Sequence, residues 1–301
     1  MAAAFPEFTQ LGIDMGLRDW PAVETFFGQL VNWDDKVFAV WQVAEVPNGE
    51  VFLYQLVEEE PAAILPRVLL AGALISRGWA VRSTQRAQHV SREQFAAFHE
   101  HLRGAEEVLI DATARAPEDV SAWTLRLVTA RGLELGQAEA RRRYDQAAKH
   151  HPSVHAAQTQ LLQQLCPKWS GTFEAMHAFA RDCAASSAPG GLSPTLVVEA
   201  HLERWLELES GKDTEYLRQP EVLEEIRLAA SQSVWHPDFH SRYGWLRAHN
   251  QFAMVFSVVG DYASAVPHFR ALGHLATESP WQYLGAPVPM FEYHRAKALA
   301  T

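Results

Sequence analysis

Apolar residues recur at three- and four-residue spacing through most of the chain, in segments broken by short runs of Pro, Gly or Asp. That period puts the apolar side chains on one face of a helix and the polar ones on the other. It predicts helices over residues 91–114, 118–133, 137–150, 153–165, 172–184, 195–208, 221–234, 243–259, 262–275 and 290–300. Ser91 and Gln94, three residues apart at the start of the first of these, fit a capping box. Strand signals are nearly absent. Residues 50–57, EVFLYQLV, alternate after the turn signal Pro47-Asn48-Gly49, and stand open between a short strand and another helix.

Residues 184–194, AASSAPGGLSP, are the one stretch with linker composition. Helical segments continue on both sides. The pattern predicts one all-α domain over residues 1–301, with a soft boundary or hinge at 184–194.

Within the helices a spacing repeats. In Gly260-Asp-Tyr-Ala-Ser-Ala-Val-Pro-His-Phe-Arg-Ala-Leu272, the residues Ala265, Phe269 and Leu272 share a helical stripe, and Gly260 closes the helix before it. Ala265 is small enough to let two helices approach, and Phe269 fills the space beside it. Ala140, Tyr144 and Ala147 before Pro152 repeat the spacing, with Trp123 on the preceding segment. Trp20, Val23, Phe27 and Leu30 repeat it again, and Ala175 and Phe179 do so after Gly171. Self-similarity at the interval of a helix pair predicts an α-solenoid.

These residue types and spacings resemble the tetratricopeptide repeat (TPR), a helix-turn-helix unit with small and aromatic residues on its second helix. The copies are degenerate: Trp123 stands one residue further from Ala140 than the pattern has it, and Leu272 replaces a small residue. The segment 165–172, LCPKWSGT, with Met176 and Phe179-Ala180-Arg181, and the segment 280–285, PWQYLG, are similar to an actinobacterial family related to the DUF4034 group. That likeness begins at about Ala63 and brings no established activity.

Composition narrows the partners. The chain has 301 residues, 48% of them hydrophobic and ten of them Trp, which is ample for a folded core. A net charge of −10 opposes a phosphate backbone, and Arg141-Arg142-Arg143 is too short a run to reverse that field; it reads as a solvated helix face, so no nucleic-acid partner is expected. Two cysteines, Cys166 and Cys183, suit a reducing compartment. The N-terminal residues carry no secretory pattern, and the most apolar stretch, 62–75, is interrupted by Pro66 and Arg67. A cytoplasmic protein with no membrane partner is the expectation.

Candidate chemistry is sparse. His99 and His101 fall on different helical faces, while His236 and His240, like His151 and His155, are separated by a Pro, so no metal set is expected. There is no Gly-x-Ser-x-Gly elbow, phosphate-binding loop or dinucleotide fingerprint. His177 and Cys183, six residues apart on one helix, are out of mutual reach. No cofactor is expected.

A solenoid presents a concave face that holds a peptide or a partner protein. If the last repeat starts near Leu246, its register turns Arg247, Asn250, Met254 and Ser257 toward that face, Arg247 for a carboxylate and Asn250 for an extended backbone. The alternative is that Arg247 is solvated and Asn250 satisfies a neighbouring loop. Lys168 and Trp169, beside Arg181, either staple a helical turn or stand at a groove rim. The sequence therefore predicts a non-catalytic binding scaffold or adaptor. The alternative is an enzyme with a pocket in its concave face, which clustered polar groups with displaced pKa values would favour.

Overall fold

In a computed structural model of the chain, residues 3–83 and 89–301 are described, and every regular element among them is helical. The chain divides into two compact units, one spanning essentially residues 4–164 and the other residues 165–301, so the segment 184–194 lies inside the second. No helix among the described residues is long and apolar enough to cross a membrane.

The first unit holds α1 (Glu7–Leu17), α2 (Trp20–Gly28), α3 (Trp33–Ala44), α4 (Gly49–Glu59), α5 (Leu65–Arg82), α6 (Arg92–Arg115), α7 (Val120–Gly132), α8 (Gln137–His150) and α9 (His155–Gln164). The undecided segment 50–57 is part of α4, where Leu53 and Leu56 are buried and α5 packs alongside. At the start of α6 both bonds of the capping box form: Gln94 N–H donates to Ser91 Oγ, and Ser91 N–H donates to Gln94 Oε1. Most helices pack on their neighbours in sequence, while α3, α5, α7 and α9 also pack on one another. The helix α7 consequently has almost no exposed face, and Val120 to Ala130 are buried without interruption.

The buried arginines of this unit are satisfied internally. Arg67 is buried because its guanidinium donates to the carbonyls of Glu60, Pro61 and Ala63 and to the Asp111 carboxylate. The run Arg141-Arg142-Arg143 is not a uniformly solvated face. Arg143 is 2% exposed and, with Arg126, clasps the buried Glu106 carboxylate, both at 2.8 Å. A lone pair of buried arginines would be untenable; Glu106, together with Glu139 on Arg143, makes the arrangement affordable. Where α7 ends, a Cβ on Gly132 would come within 2.3 Å of Leu102 Cδ1, so glycine there permits the close approach of α6.

The second unit holds α10 (Phe173–Ala185), α11 (Thr195–Leu206), α12 (Lys212–Leu217), α13 (Pro220–Gln232), α14 (Trp245–Val259), α15 (Tyr262–Leu272) and α16 (Pro287–Leu299). Its core is built around α11 and α14. α11 is packed by α10, α12, α13 and α14, and α14 by α11, α12, α15 and α16. Gly260 ends α14 in the left-handed conformation at φ 85°, and Asp261 caps α15 by accepting from Ser264 N–H. Ala265 and Phe269 are fully buried, with Phe269 against Trp281 and Phe291. In this segment Ala265 and Phe269 thus act as a packing device.

Candidate functional site

Four helices of the second unit surround a pocket of about 290 Å³. Thr172 caps α10 by accepting from Ala175 N–H, which sets the register that turns Phe173, His177 and Arg181 to one side at four-residue steps. α11 contributes His201 and Arg204, three residues apart on the same stripe, α12 contributes Tyr216, and α13 contributes Glu221, Val222 and Glu225.

His201 sits at the centre of a hydrogen-bonded chain. Its Nε2 is 3.0 Å from Glu225 Oε2 and its Nδ1 is 2.6 Å from the Tyr216 hydroxyl. A carboxylate can only accept, so Nε2 carries a proton; with the ring neutral, Nδ1 accepts and Tyr216 O–H donates. Glu225 is gripped from its other side by Arg181, at 2.6 Å and 3.2 Å. Hydrogen bonds from His201 and Arg181 hold the Glu225 carboxyl at about 2, and burial pushes the Tyr216 hydroxyl up to about 12.

Two members of the pocket lack such partners. His177 is 7% exposed, and its ring makes no hydrogen bond to any described residue; Nε2 is sealed from solvent. Burial, with His201 and Arg181 nearby, lowers its pKa to about 4, so the ring is neutral at neutral pH. Arg204 has its guanidinium carbon 5.3 Å from the Phe173 ring centre and 5.1 Å from that of Tyr216. The cation lies over both rings, and its N–H groups make no ion pair or side-chain hydrogen bond with a described residue.

Of the binding residues expected from sequence, Arg181 alone lines this pocket. Lys168, on a 3-10 turn at Pro167–Trp169, donates to Glu203 at 2.6 Å, and Trp169 is half-buried beside it. Arg247 is partly exposed and pairs with Glu199 at 3.0 Å. Asn250, Met254 and Ser257 do not line an open groove. All three are buried because α14 is an interior helix, covered on the side expected to be concave. Asn250 takes the alternative role: its amide donates to the carbonyls of Leu246 and Leu275, and its oxygen accepts from Trp281 Nε1 at 2.7 Å. Ser257 donates to Ala253 O.

The residues missed from sequence are His201, Arg204, Tyr216 and Glu225, and His177 enters the sequence reading only beside Cys183, as a pair out of reach. The usable signal was local: His177 with Arg181, His201 with Arg204, and Glu221 with Glu225 each share a helical stripe. Nothing in linear spacing says that these stripes face one another. Among the described residues no three His, Cys, Asp or Glu side chains gather in a way that would hold a metal ion.

No family model, curated protein or solved structure matches the chain.

Proposed function

We propose that the chain is a non-catalytic binding scaffold of degenerate TPR-like helix pairs, in the cytoplasm, and that a protein or peptide partner engages the pocket between α10 and α13. The packing of most helices on their sequence neighbours supports the repeat reading. The observation that carries the binding reading is the direction in which the pocket's groups are tuned. Proton transfer at neutral pH is served best by groups that titrate near neutrality. Here Glu225 is held at about 2, His177 at about 4 and Tyr216 at about 12, so each keeps one protonation state across the physiological range. The Tyr216-His201-Glu225 chain is the natural starting point for a catalytic reading, but its two ends are locked rather than poised. A fixed set of donors and acceptors suits recognition, where preorganisation lowers the cost of binding.

Selection of a random dodecapeptide library on the immobilised protein tests this. A shared motif that enriches on the parent and is lost on an Arg204→Ala, His177→Ala double variant of unchanged circular dichroism is the expected result. Enrichment no greater than on a blocked surface, or equal enrichment on both proteins, would overturn it.

A further inference from the structure

The pocket's two unsatisfied members and its rim point to a particular ligand chemistry, which rests on the reading of this pocket as a binding site. Arg181 and Glu225 neutralise each other. That leaves the stacked Arg204 as the one cation and Glu174 and Glu221 as two exposed carboxylates, all lining one cavity. Arg204 is close enough to Glu174 to help lower its carboxyl below the usual range, after the hydrogen bonds the carboxyl makes at the start of α10. A doubly charged anion such as phosphate would meet Arg204 but also the surplus negative charge. A plain cation would meet the glutamates but also the guanidinium. A molecule carrying both signs meets each with its complement.

Size narrows the class further. About 290 Å³ lies at the small end of ligand pockets, which run from roughly 300 to 1,000 Å³. An extended peptide could insert only one side chain, whereas a whole amino acid fits inside. Phe173 and Val222 add apolar wall between the charged groups. His177 supplies the remaining polar contact. With Nε2 sealed off and without a partner, the tautomer that costs least leaves Nε2 unprotonated, because a buried unpaired N–H is the worse orphan. Nδ1–H is then the donor available to a ligand.

We propose that this pocket binds a free zwitterion of α-amino-acid size, its carboxylate on the edge of Arg204 with a hydrogen bond from His177, and its ammonium at the Glu174 and Glu221 rim. The pocket that the partner reading assigns to a peptide would then take a free small molecule in the same place.

The probes are free L-leucine, L-phenylalanine, L-arginine and L-glutamate, each beside its N-acetyl and its carboxamide form, titrated into the full chain by calorimetry. At least one free amino acid should bind, and both of its blocked forms should bind at least about tenfold more weakly, since each loses one charge-assisted contact. Arg204→Gln should make the acid and the carboxamide equivalent, and a Glu174→Gln, Glu221→Gln double variant should do the same for the free and acetylated amines. Those two variants change exposed or half-exposed residues and should keep the parent's melting temperature. No binding of any probe at millimolar concentration, or equal binding of blocked and free forms, would overturn the inference. Dodecapeptides that bind the parent while no amino acid does would sink this proposal and leave the peptide reading standing. The converse result would do the reverse.

Discussion

The rings of His177 and His201 lie 4.7 Å apart, centre to centre, across α10 and α11, and the two are in opposite hydrogen-bonding states. His201 has both nitrogens engaged, by Tyr216 and Glu225, and His177 has neither engaged by a described residue. One imidazole is fixed as part of the wall, and its neighbour is left with bonding capacity that only a ligand or solvent can meet.

Acid should destabilise the fold in two stages. Burial holds His177 and His249 at about 4 and His268 well below its ordinary value of 6.5. A histidine whose folded pKa is depressed favours the neutral form, so its contribution is complete above about pH 6.5 and is lost as pH falls toward 4. Each of the first two is worth on the order of 3 kcal/mol at most. Glu225, held at about 2, contributes above about 4.5 and loses that contribution as pH falls further. Asp34, raised to about 6 by burial, works in the opposite sense over part of the same window, so the histidine contribution is read from the difference between the parent and a histidine variant rather than from the parent's urea midpoints alone. His177→Leu should lose less of its midpoint than the parent does as pH falls through that window. A parent and a His177→Leu variant whose midpoints change identically between about pH 6.5 and pH 4 would contradict the burial of His177 as a neutral group.

Glu106→Leu should cost about 3–5 kcal/mol, because among the described residues Arg126 would keep no carboxylate and Arg143 would keep Glu139 alone. Replacing Glu106, Arg126 and Arg143 together by Leu and Met should recover most of that loss. Chemical denaturation of the two proteins checks it: a triple variant as unstable as the single one would mean that the cluster's worth lies in packing and not in charge.

Asn250→Leu should destabilise by at least about 1–3 kcal/mol, since it strands the buried Trp281 Nε1–H and unfastens the backbone at Leu275 and Thr277. A thermal melt monitored by near-ultraviolet dichroism reports both stability and the Trp281 environment. Unchanged stability would mean that these internal hydrogen bonds add nothing net to the fold.

Phe269→Ala should cost about 3–5 kcal/mol through the cavity left against Trp281 and Phe291, and Ala265→Leu about 1–3 kcal/mol through overfilling. If both variants melt with the parent, the contact between α14 and α15 does not depend on this pair.

The amino-acid sequence by itself determined the all-helical class, the capping of α6 by Ser91 and Gln94, the stop at Gly260 and the packing role of Ala265 and Phe269. Each of these is a local matter, settled by periodicity, a short polar side chain or a glycine within one turn of its effect. Tertiary structure decided the rest. Residues 50–57 carry a pattern compatible with two structures, and burial of Leu53 and Leu56 against α5 makes them helix. Arg143 belongs to a polar run in sequence and is drawn inside because Glu106, 37 residues away, meets it there. Arg181 was legible as a polar residue beside a helical turn, but its partner Glu225 and the neighbours His201 and Tyr216 come from three other helices. Asn250, Met254 and Ser257 sit on a correct helical stripe whose exposure was misjudged, because a helix's own period sets which residues share a face and says nothing about what packs against that face.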